Sequence, residues 1–280
     1  MDDRKLGGFG WCKDQPDIRD FNLDSIQIKN ILVKSGPLQV ATVKRPEKVD
    51  LRQWCSPIED QQDIGSCVAH SCVGLLEFYQ RRAFGHHLDL SRLFVYKVAR
   101  NLLGWKGDTG AYLRTGMQAM TLFGAPLEKY YPYKVSKFDD EPAAFQYAIA
   151  GNYKAVKYYR LDKPGLSKKD TLEAILTSLA AGLPCMFGFT VYSSIPSIGD
   201  GKDLIPFPQK GDTVEGGHAV MAVGYDEKSY GGSLLIRNSW SKEWGQNGYG
   251  YLPFQYILHG LADDFWSLVQ ADFVDTDLFK

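Results

Sequence analysis

The chain passes from loop into helix at Asp60-Gln61-Gln62-Asp63-Ile64-Gly65-Ser66-Cys67-Val68-Ala69-His70-Ser71-Cys72. From Val68 onward, apolar side chains recur at i, i+4, i+7, i+8 and i+11, which is the pattern of one face of an amphipathic helix. Gly65 and Ser66 supply a turn and a candidate N-cap. We therefore predict that Cys67 lies in the first turn of this helix.

The position of Cys67 predicts a reactive thiol. The dipole and the unpaired backbone N–H groups at a helix N-terminus favour negative charge, which lowers the pKa of a thiol there. Gln61 lies six residues upstream, close enough for its side-chain amide to reach a neighbouring oxyanion. We interpret Cys67 as a nucleophile. A buried structural cysteine at a helix start is the alternative that this stretch alone leaves open.

The composition excludes several classes of function. The chain has 280 residues, of which 44% are hydrophobic and 23% charged, and its formal net charge is −1. This is typical of a globular protein with one large domain or two packed halves, and it gives no electrostatic case for binding nucleic acid. No apolar run approaches the ~20 residues of a membrane span. No signal peptide is visible, so a cytoplasmic location and export by a non-classical route both stay open.

The cysteine pattern gives no indication of a metal site. The chain has five cysteines, Cys12, Cys55, Cys67, Cys72 and Cys185, and an odd number excludes complete pairing within the chain. No Cys-x-x-Cys pair or Cys/His cluster suggests zinc, and the glycine-rich loop 104–110 lacks the spacing of a phosphate or dinucleotide site. We expect no metal and no cofactor. A disulfide among Cys12, Cys55, Cys72 and Cys185 stays open.

Residues 1–45 differ in texture from the rest of the chain. Short alternating runs at 26–28, 31–33 and 38–43 are predicted to be extended or edge strands. Such a segment cannot build its own core, so we expect it to lie on the main body or to be disordered. The charged joint around Lys44-Arg45 marks the boundary with a second region, 46–280.

The main body predicts an α+β fold. Helices are predicted from residue 67, at 92–101, at 113–122 and at 168–181. Strand-like runs dominate later, at 185–192, 219–225 and 233–237, and a long polar loop, 193–217, separates the first two. Helices first and strands second indicate two halves with a cleft between them.

His218 and Asn238 form the second part of the candidate site. His218 opens the strand 219–225, and Asn238 directly follows the strand 233–237. If these strands are antiparallel neighbours, Asn238 returns beside His218, where its amide would orient a general base. Taken alone, Asn238 is more simply a turn residue.

Together these features resemble the papain-like cysteine peptidases over about 49–269. The order is Cys, His, Asn, and His218 stands 151 positions after Cys67 (218 − 67). Four blocks carry the resemblance: Gln61-x5-Cys67-x-Ala69; Gly217-His218-Ala219-Val220 with Val223-Gly224-Tyr225; Asn238-Ser239-Trp240; and Trp244-Gly245-x-Asn247-Gly248-Tyr249-Gly250.

The resemblance implies a papain-like architecture for 46–280. It predicts a mainly helical half at about 60–150 and a β-barrel-like half at about 151–260, with the C-terminus crossing back and the cleft between the halves. Residues 1–45 would be an N-terminal extension or a short prosegment, as in a bacterial-type branch of the family. Ile64 replaces the family's usual cysteine three residues before the nucleophile, so the disulfide of that position cannot form. Val68 replaces the usual aromatic residue.

The resemblance also implies a mechanism of peptide hydrolysis. A Cys67 thiolate paired with a His218 imidazolium would form a covalent acyl-enzyme. The Gln61 side chain and the Cys67 N–H would hold the oxyanion, and each such donor is worth roughly 3 kcal/mol. Asn238 would fix the imidazole tautomer, and Trp240 would shield that hydrogen bond from water.

Substrate recognition follows from the same resemblance. An extended peptide would lie with its backbone near Gly110 and Gly217, and Trp240 would line the cleft. Asp263 matches the floor of the family's pocket for the second residue upstream of the cut, where an acid would accept arginine as well as apolar side chains. An aspartate at 263 or 264 that simply faces solvent is the alternative.

The expected partners are peptide or protein substrates and proteinaceous cysteine-protease inhibitors, and we expect a monomer without a membrane span. Residues 1–45 are interpreted as a cover over the cleft, with a structural arm as the alternative. Two other functions are compatible with a Cys–His pair. One is a non-catalytic binding module, which the intact set of Gln61, Cys67, His218 and Asn238 disfavours. The other is transglutaminase-like acyl transfer, whose proteins end in Asp and lack the Asn-Ser-Trp block.

Overall fold

The computed structural model describes residues 6–34 and 45–273. Its helices are α1 Ile26–Lys34, α2 Cys67–Phe84, α3 Arg92–Leu103, α4 Leu113–Leu122, α5 Ala144–Ala150, α6 Lys168–Ala180 and α7 Gln255–Leu258. Its strands are β1 Lys48–Asp50, β2 Tyr153–Arg160, β3 Cys185–Tyr192, β4 Val214–Asp226, β5 Ser233–Arg237, β6 Tyr249–Pro253 and β7 Ala262–Phe273.

The strands form one antiparallel sheet. The strand order is β2-β7-β3-β4-β5-β6. The short strand β1 pairs with the C-terminal end of β4, from Gly224 to Asp226. The α+β class is therefore confirmed. The barrel-like expectation needs correction, because the two outer strands, β2 and β6, do not pair with each other and the sheet is open.

Helix α2 lies at the centre of the molecule. Its first twelve residues, 67–78, are all buried, as expected for a helix surrounded by other elements rather than packed by one face. The charged side chain in this stretch, Glu77, forms an ion pair of 2.7 Å with the buried Arg92 of α3. The α2–α4 helices and one face of the sheet share a core that includes Cys72, Phe94 and Met186.

The other face of the sheet carries a second core, covered by α6 and by α1. Residues 26–28 and 31–33 were predicted as strands, and that prediction is wrong, because the chain is helical at 26–34. The reason is that Ile28 and Leu32, one helical turn apart, both become buried against this core, and packing outweighs a short alternating pattern. The predicted strand at 38–43 lies outside the described residues.

All five cysteines have free thiols, and no disulfide joins Cys12, Cys55, Cys72 or Cys185. Among residues 6–34 and 45–273, no helix is both long enough and apolar enough to cross a bilayer.

Candidate active site

Cys67 is the first residue of α2, as predicted, and is buried. The thiol lies near the start of the apolar part of β4, because the backbone N–H of Ala219 is one of the groups that act on its sulfur. The N–H groups of Gly10 and Val68 also approach it. Burial raises the pKa of the Cys67 thiol to about 12, and these three N–H groups offset only part of that effect.

His218 is held by one hydrogen bond and three rings. Its Nε2 lies 2.7 Å from Asn238 Oδ1, which also accepts from the Ser239 N–H, so this oxygen is an acceptor and Nε2 carries the proton. The imidazole stacks on Trp240 at 4.5 Å and meets the edges of Phe9 and Phe189.

The other imidazole nitrogen of His218, Nδ1, is left as an acceptor. It is buried and has no hydrogen-bond partner among the described residues. Burial lowers the pKa of His218 to about 4, against the opposing effect of Asn238, so the imidazole is neutral at pH 7. In this arrangement the site thus holds a neutral Cys67 thiol and a neutral His218 imidazole.

The Gln61 side chain is fixed at both ends of its amide. Its Oε1 accepts from Ser239 Oγ at 2.7 Å, and its Nε2 donates to Ile64 O at 3.0 Å. The second Nε2 hydrogen bond goes to the carbonyl of Gly8, at 2.8 Å. An amide held in this way presents a donor in a fixed direction, which is what an oxyanion hole requires.

Residues 6–12, which we call the cleft strand, run extended between the two halves. Gly10 N and Trp11 N donate to Gly217 O at 3.1 and 3.0 Å. On the opposite side, Ala111 N donates to Gly10 O at 2.9 Å, and the Trp11–Ala111 bridge is parallel. The cleft strand is therefore hydrogen-bonded along both walls.

Both glycines that were predicted to bind substrate, Gly110 and Gly217, line these walls. A Cβ on Gly110 would lie 2.1 Å from Gly10 O, and a Cβ on Gly217 would lie 2.4 Å from Trp11 O. Only glycine allows a backbone to approach this closely. Trp240, the third predicted contact, meets the cleft strand at Gly7 and Phe9.

The Trp11 indole fills a pocket beside the cleft. Its ring lies over Gly188, where a Cβ would stand 1.9 Å from a ring atom, and it is 8% exposed. Its Nε1 donates to Asp264 Oδ2 at 3.3 Å. Asp263, which was predicted at the floor of this pocket, forms ion pairs with Lys13 and Lys168.

The carboxylate that faces the pocket thus belongs to Asp264. It is fully buried, accepts from Trp266 Nε1 at 2.8 Å and lies 3.2 Å from the Arg160 guanidinium. Burial raises its pKa to about 7, although Arg160 opposes the shift. Asp264, Gly188 and Ala111 contact the cleft strand and were not among the predicted site residues. The aromatic residues among the N-terminal glycines were the available signal for a bound strand.

A cluster of metal-ligand types exists elsewhere, at Glu77, His87 and Asp89. The Arg92 guanidinium lies among these groups, 2.7 Å from Glu77 and 3.1 Å from Asp89. Its single positive charge therefore already offsets part of the negative charge of the two carboxylates. Glu77 is ten residues along α2 from Cys67, about 15 Å at the helical rise, so this cluster does not belong to the site.

Comparison with known proteins gives a consistent result. The model of the "Papain family cysteine protease" family matches residues 45–257. A solved structure of xylellain, a cysteine protease from Xylella fastidiosa, is 32% identical, with a TM-score of 0.77 over 98% of this chain and 99% of that one.

Two curated relatives extend the comparison. An uncharacterized peptidase C1-like protein of Acanthamoeba polyphaga mimivirus is 33% identical over 94% of this chain and 87% of its own length. Cathepsin K of Gallus gallus is 30% identical over 74% of this chain and 58% of its own length.

Proposed function

Because the chain belongs to the papain family of cysteine proteases, which are peptide hydrolases, we propose that it is an endopeptidase acting through Cys67, His218 and a covalent acyl-enzyme. The observation that carries this proposal is the 2.7 Å hydrogen bond between Asn238 Oδ1 and His218 Nε2. It leaves Nδ1 free to accept a proton, and the next residue, Ala219, lies near the Cys67 sulfur.

The proposed reaction has two halves. In the first, the Cys67 sulfur attacks the peptide carbonyl, and His218 Nδ1 passes the thiol proton to the leaving amine. In the second, His218 takes a proton from water, whose oxygen attacks the thioester and releases Cys67. In both halves the oxyanion would accept from Gln61 Nε2 and from the backbone N–H of Cys67, which begins α2 and so lacks a helical partner.

We propose that the cleft strand limits access to this site. The Gly8 carbonyl accepts from Gln61 Nε2, the donor that the oxyanion would use, and Gly10 lies near the Cys67 sulfur. A substrate cannot make these contacts until the strand moves or the chain is cut. The joint at Lys44-Arg45 is the proposed cutting point, and Arg45 is partly exposed there between Glu173 and Glu227.

Substrate recognition is proposed at the same contacts. A peptide backbone would replace the cleft strand along Gly217, Gly110 and Ala111, and one of its side chains would enter the pocket that Trp11 leaves. That pocket offers an apolar wall and a carboxylate, so it suits aromatic side chains and arginine. We propose cleavage after both Phe-Arg and Arg-Arg, with proteinaceous inhibitors competing for the same groove and the protein acting as a monomer.

A covalent probe tests the nucleophile. An epoxide or vinyl-sulfone peptide should label the wild-type chain once, at Cys67. Cys67→Ala should abolish labelling, while Cys12→Ala, which removes the most exposed thiol of the five, should leave it intact. Labelling that persists in Cys67→Ala would exclude the proposed nucleophile.

Turnover of a dipeptide fluorogenic substrate tests the cover. A chain beginning at Val49 should turn over faster than the full chain. Because Ile28 and Leu32 are lost with the segment and contribute to the second core, the full chain carrying Trp11→Ala provides a second, milder comparison. Equal or lower turnover in both variants would indicate a structural arm instead.

A further inference from the structure

Tyr133 ties together the two ends of the loop that precedes α2. Its hydroxyl lies 2.9 Å from the backbone carbonyl of Gln61 and 2.7 Å from Ser66 Oγ. Gln61 carries one proposed oxyanion donor on its side chain, and Ser66 directly precedes Cys67, which carries the other on its backbone. A single hydroxyl therefore joins the parts of the chain that bear both donors.

The direction of these hydrogen bonds is fixed by the acceptor at one end. A carbonyl only accepts, so Tyr133 donates to Gln61 O and in turn accepts from Ser66 Oγ–H. A lone pair of Ser66 Oγ then faces His70 Nδ1, at 3.3 Å. Burial raises the pKa of Tyr133 and lowers that of His70 well below its usual value, so neither residue changes charge near neutral pH.

Ser66 is used differently from an ordinary N-cap. It occupies the cap position of α2, yet its side chain accepts from no N–H of the first helical turn. A serine that gives up this stabilising role in favour of a tyrosine 67 residues away points to a specific tie.

The loop between residues 61 and 66 has need of such a tie. Ile64 stands where the family has a cysteine, and Gln62 adopts a φ of 57°, a conformation that costs free energy for a non-glycine residue. Hydrogen bonds from neighbouring elements hold the loop instead of a covalent bridge, among them Gly65 N to Asp108 Oδ1 at 2.9 Å.

We propose that Tyr133 is a positioning residue for the oxyanion hole, fixing the Gln61 amide relative to the Cys67 N–H. This inference rests on the proposed function. It requires that Tyr133 increases the rate of those reactions of Cys67 that form an oxyanion and has little effect on the rate of those that form none.

The test compares two kinds of chemistry at one thiol. Both are measured in the full chain carrying Trp11→Ala, which opens the groove. Tyr133→Phe should lower kcat for a dipeptide substrate about tenfold, a fraction of the loss of a whole oxyanion donor, with KM within about twofold. The affinity of a peptide aldehyde, whose adduct is an oxyanion, should weaken by a similar factor. Alkylation by iodoacetamide displaces iodide at a saturated carbon, forms no oxyanion, and should keep its rate.

Three comparisons make the result decisive. Tyr131 lies two residues before Tyr133, and its hydroxyl donates to Asp140 O at 2.7 Å. Tyr131→Phe should therefore change neither kcat nor the alkylation rate. Ser66→Ala should reproduce the pattern of Tyr133→Phe at about threefold. In a Gln61→Ala background the effect of Tyr133→Phe on kcat should shrink below about threefold, because residues acting through one group are not additive.

Two results would overturn the inference. The first is an unchanged kcat in Tyr133→Phe; the second is an equal fall of turnover and alkylation, which would indicate a general structural role. A parent chain that neither turns over nor alkylates would overturn the proposed function, and this inference with it. If the parent chain turns over substrate and is alkylated, and Tyr133→Phe has the same kcat and alkylation rate, only the role of Tyr133 would be overturned.

Discussion

The pKa values of Cys67 and His218 are moved apart by the same cause. With the cleft strand in place, burial raises the pKa of the thiol to about 12 and lowers that of the imidazole to about 4. Transfer of the proton from sulfur to nitrogen would create two charges in a site that water does not reach, which is unfavourable. In the proposed function, the cleft strand would therefore oppose catalysis both by occupying the cleft and by keeping the nucleophile neutral.

Asn238 should matter for rate more than for binding. Asn238→Ala removes the acceptor that holds the proton of His218 on Nε2, so part of the population has the unproductive tautomer. We expect kcat to fall roughly 10-fold to 100-fold, less than a full loss of general acid–base catalysis, with little change in KM. Asn101→Ala, on the surface of α3, is the matched control. A rise in KM with an unchanged kcat would contradict this role.

Asp264 and Asp263 make a controlled pair for substrate preference. Asp264→Asn should reduce the ratio of Arg-Arg to Phe-Arg cleavage about tenfold, since it replaces a charged hydrogen-bond acceptor by a neutral one. Asp263→Asn removes only rim ion pairs with Lys13 and Lys168 and should change the ratio less than about twofold. The kcat/KM values of the two substrates provide the measurement. The reverse outcome would restore Asp263 as the pocket residue.

The sequence predicts an acid at this point, at Asp263, and we propose Asp264 in its place. Counting along the chain led to Asp263, and β-strand alternation would have supported either neighbour. Asp264 adopts a φ of 67°, and the β3–β7 register shifts between Met186 and Gly188 beside it. Such an irregularity turns one side chain from one face of a sheet to the other. It depends on packing between strands distant in sequence, so a local pattern does not reveal it.

Among the elements, those with strong local signals were predicted well. The strands 185–192 and 233–237 and the helix 113–122 have the predicted bounds. The predicted loop 193–217 is shorter, because β4 already begins at Val214. Segment 26–34 failed because its helix is stabilised by burial of Ile28 and Leu32 on a core formed by residues far along the chain.

The N-terminal segment is held to the body by charge as well as by Trp11. Arg114 of α4 pairs with Asp14 and Asp20, and Arg160 of β2 lies 3.5 Å from Asp20. Arg114 is 19% exposed, so each of its two pairs is worth a fraction of 1 kcal/mol to about 1 kcal/mol. The charged clamp is thus a modest addition to the apolar contacts of the segment.

Weakening this clamp should speed access to Cys67. Arg114→Ala in the full chain should raise the rate of iodoacetamide labelling about threefold, and added salt should raise it in the wild type more than in the variant. Arg52→Ala removes a comparable pair with Asp50 that does not touch the segment, and serves as control. Equal salt effects in wild type and Arg114→Ala would show that the clamp does not restrain opening.

For the molecule as a whole, the cleft strand bridges the two halves that the helices and the sheet form. Gly217 belongs to the sheet, whereas Gly65 and Ala111 belong to the helical half, and all three contact residues 8–12. The opening of the strand is therefore an equilibrium of the entire chain. Any group whose pKa differs between the covered and open states makes that equilibrium depend on pH.

Asp264 is the group that should set this dependence. Under Trp11, and facing Arg160, Asp162 and Trp266, it has a pKa of about 7 because burial disfavours its charge. When Trp11 leaves, water reaches the carboxylate and its pKa falls toward the ordinary value of an aspartate, 3.8. The covered state therefore binds more protons between about pH 4 and 7. Transfer of a proton from Cys67 to His218 on opening does not change the total number of protons that the protein binds.

Opening should consequently increase as pH rises through this window, by up to about tenfold per unit, and level off above about pH 7. Labelling of Cys67 with iodoacetamide in the wild type, divided by its rate in Trp11→Ala at each pH, measures opening without the titration of the thiol itself. Asp264→Asn removes the titrating group, so its ratio should be flat over the same range. A wild-type ratio that rises toward acid instead would mean that opening takes up a proton, and that His218 rather than Asp264 controls the cover.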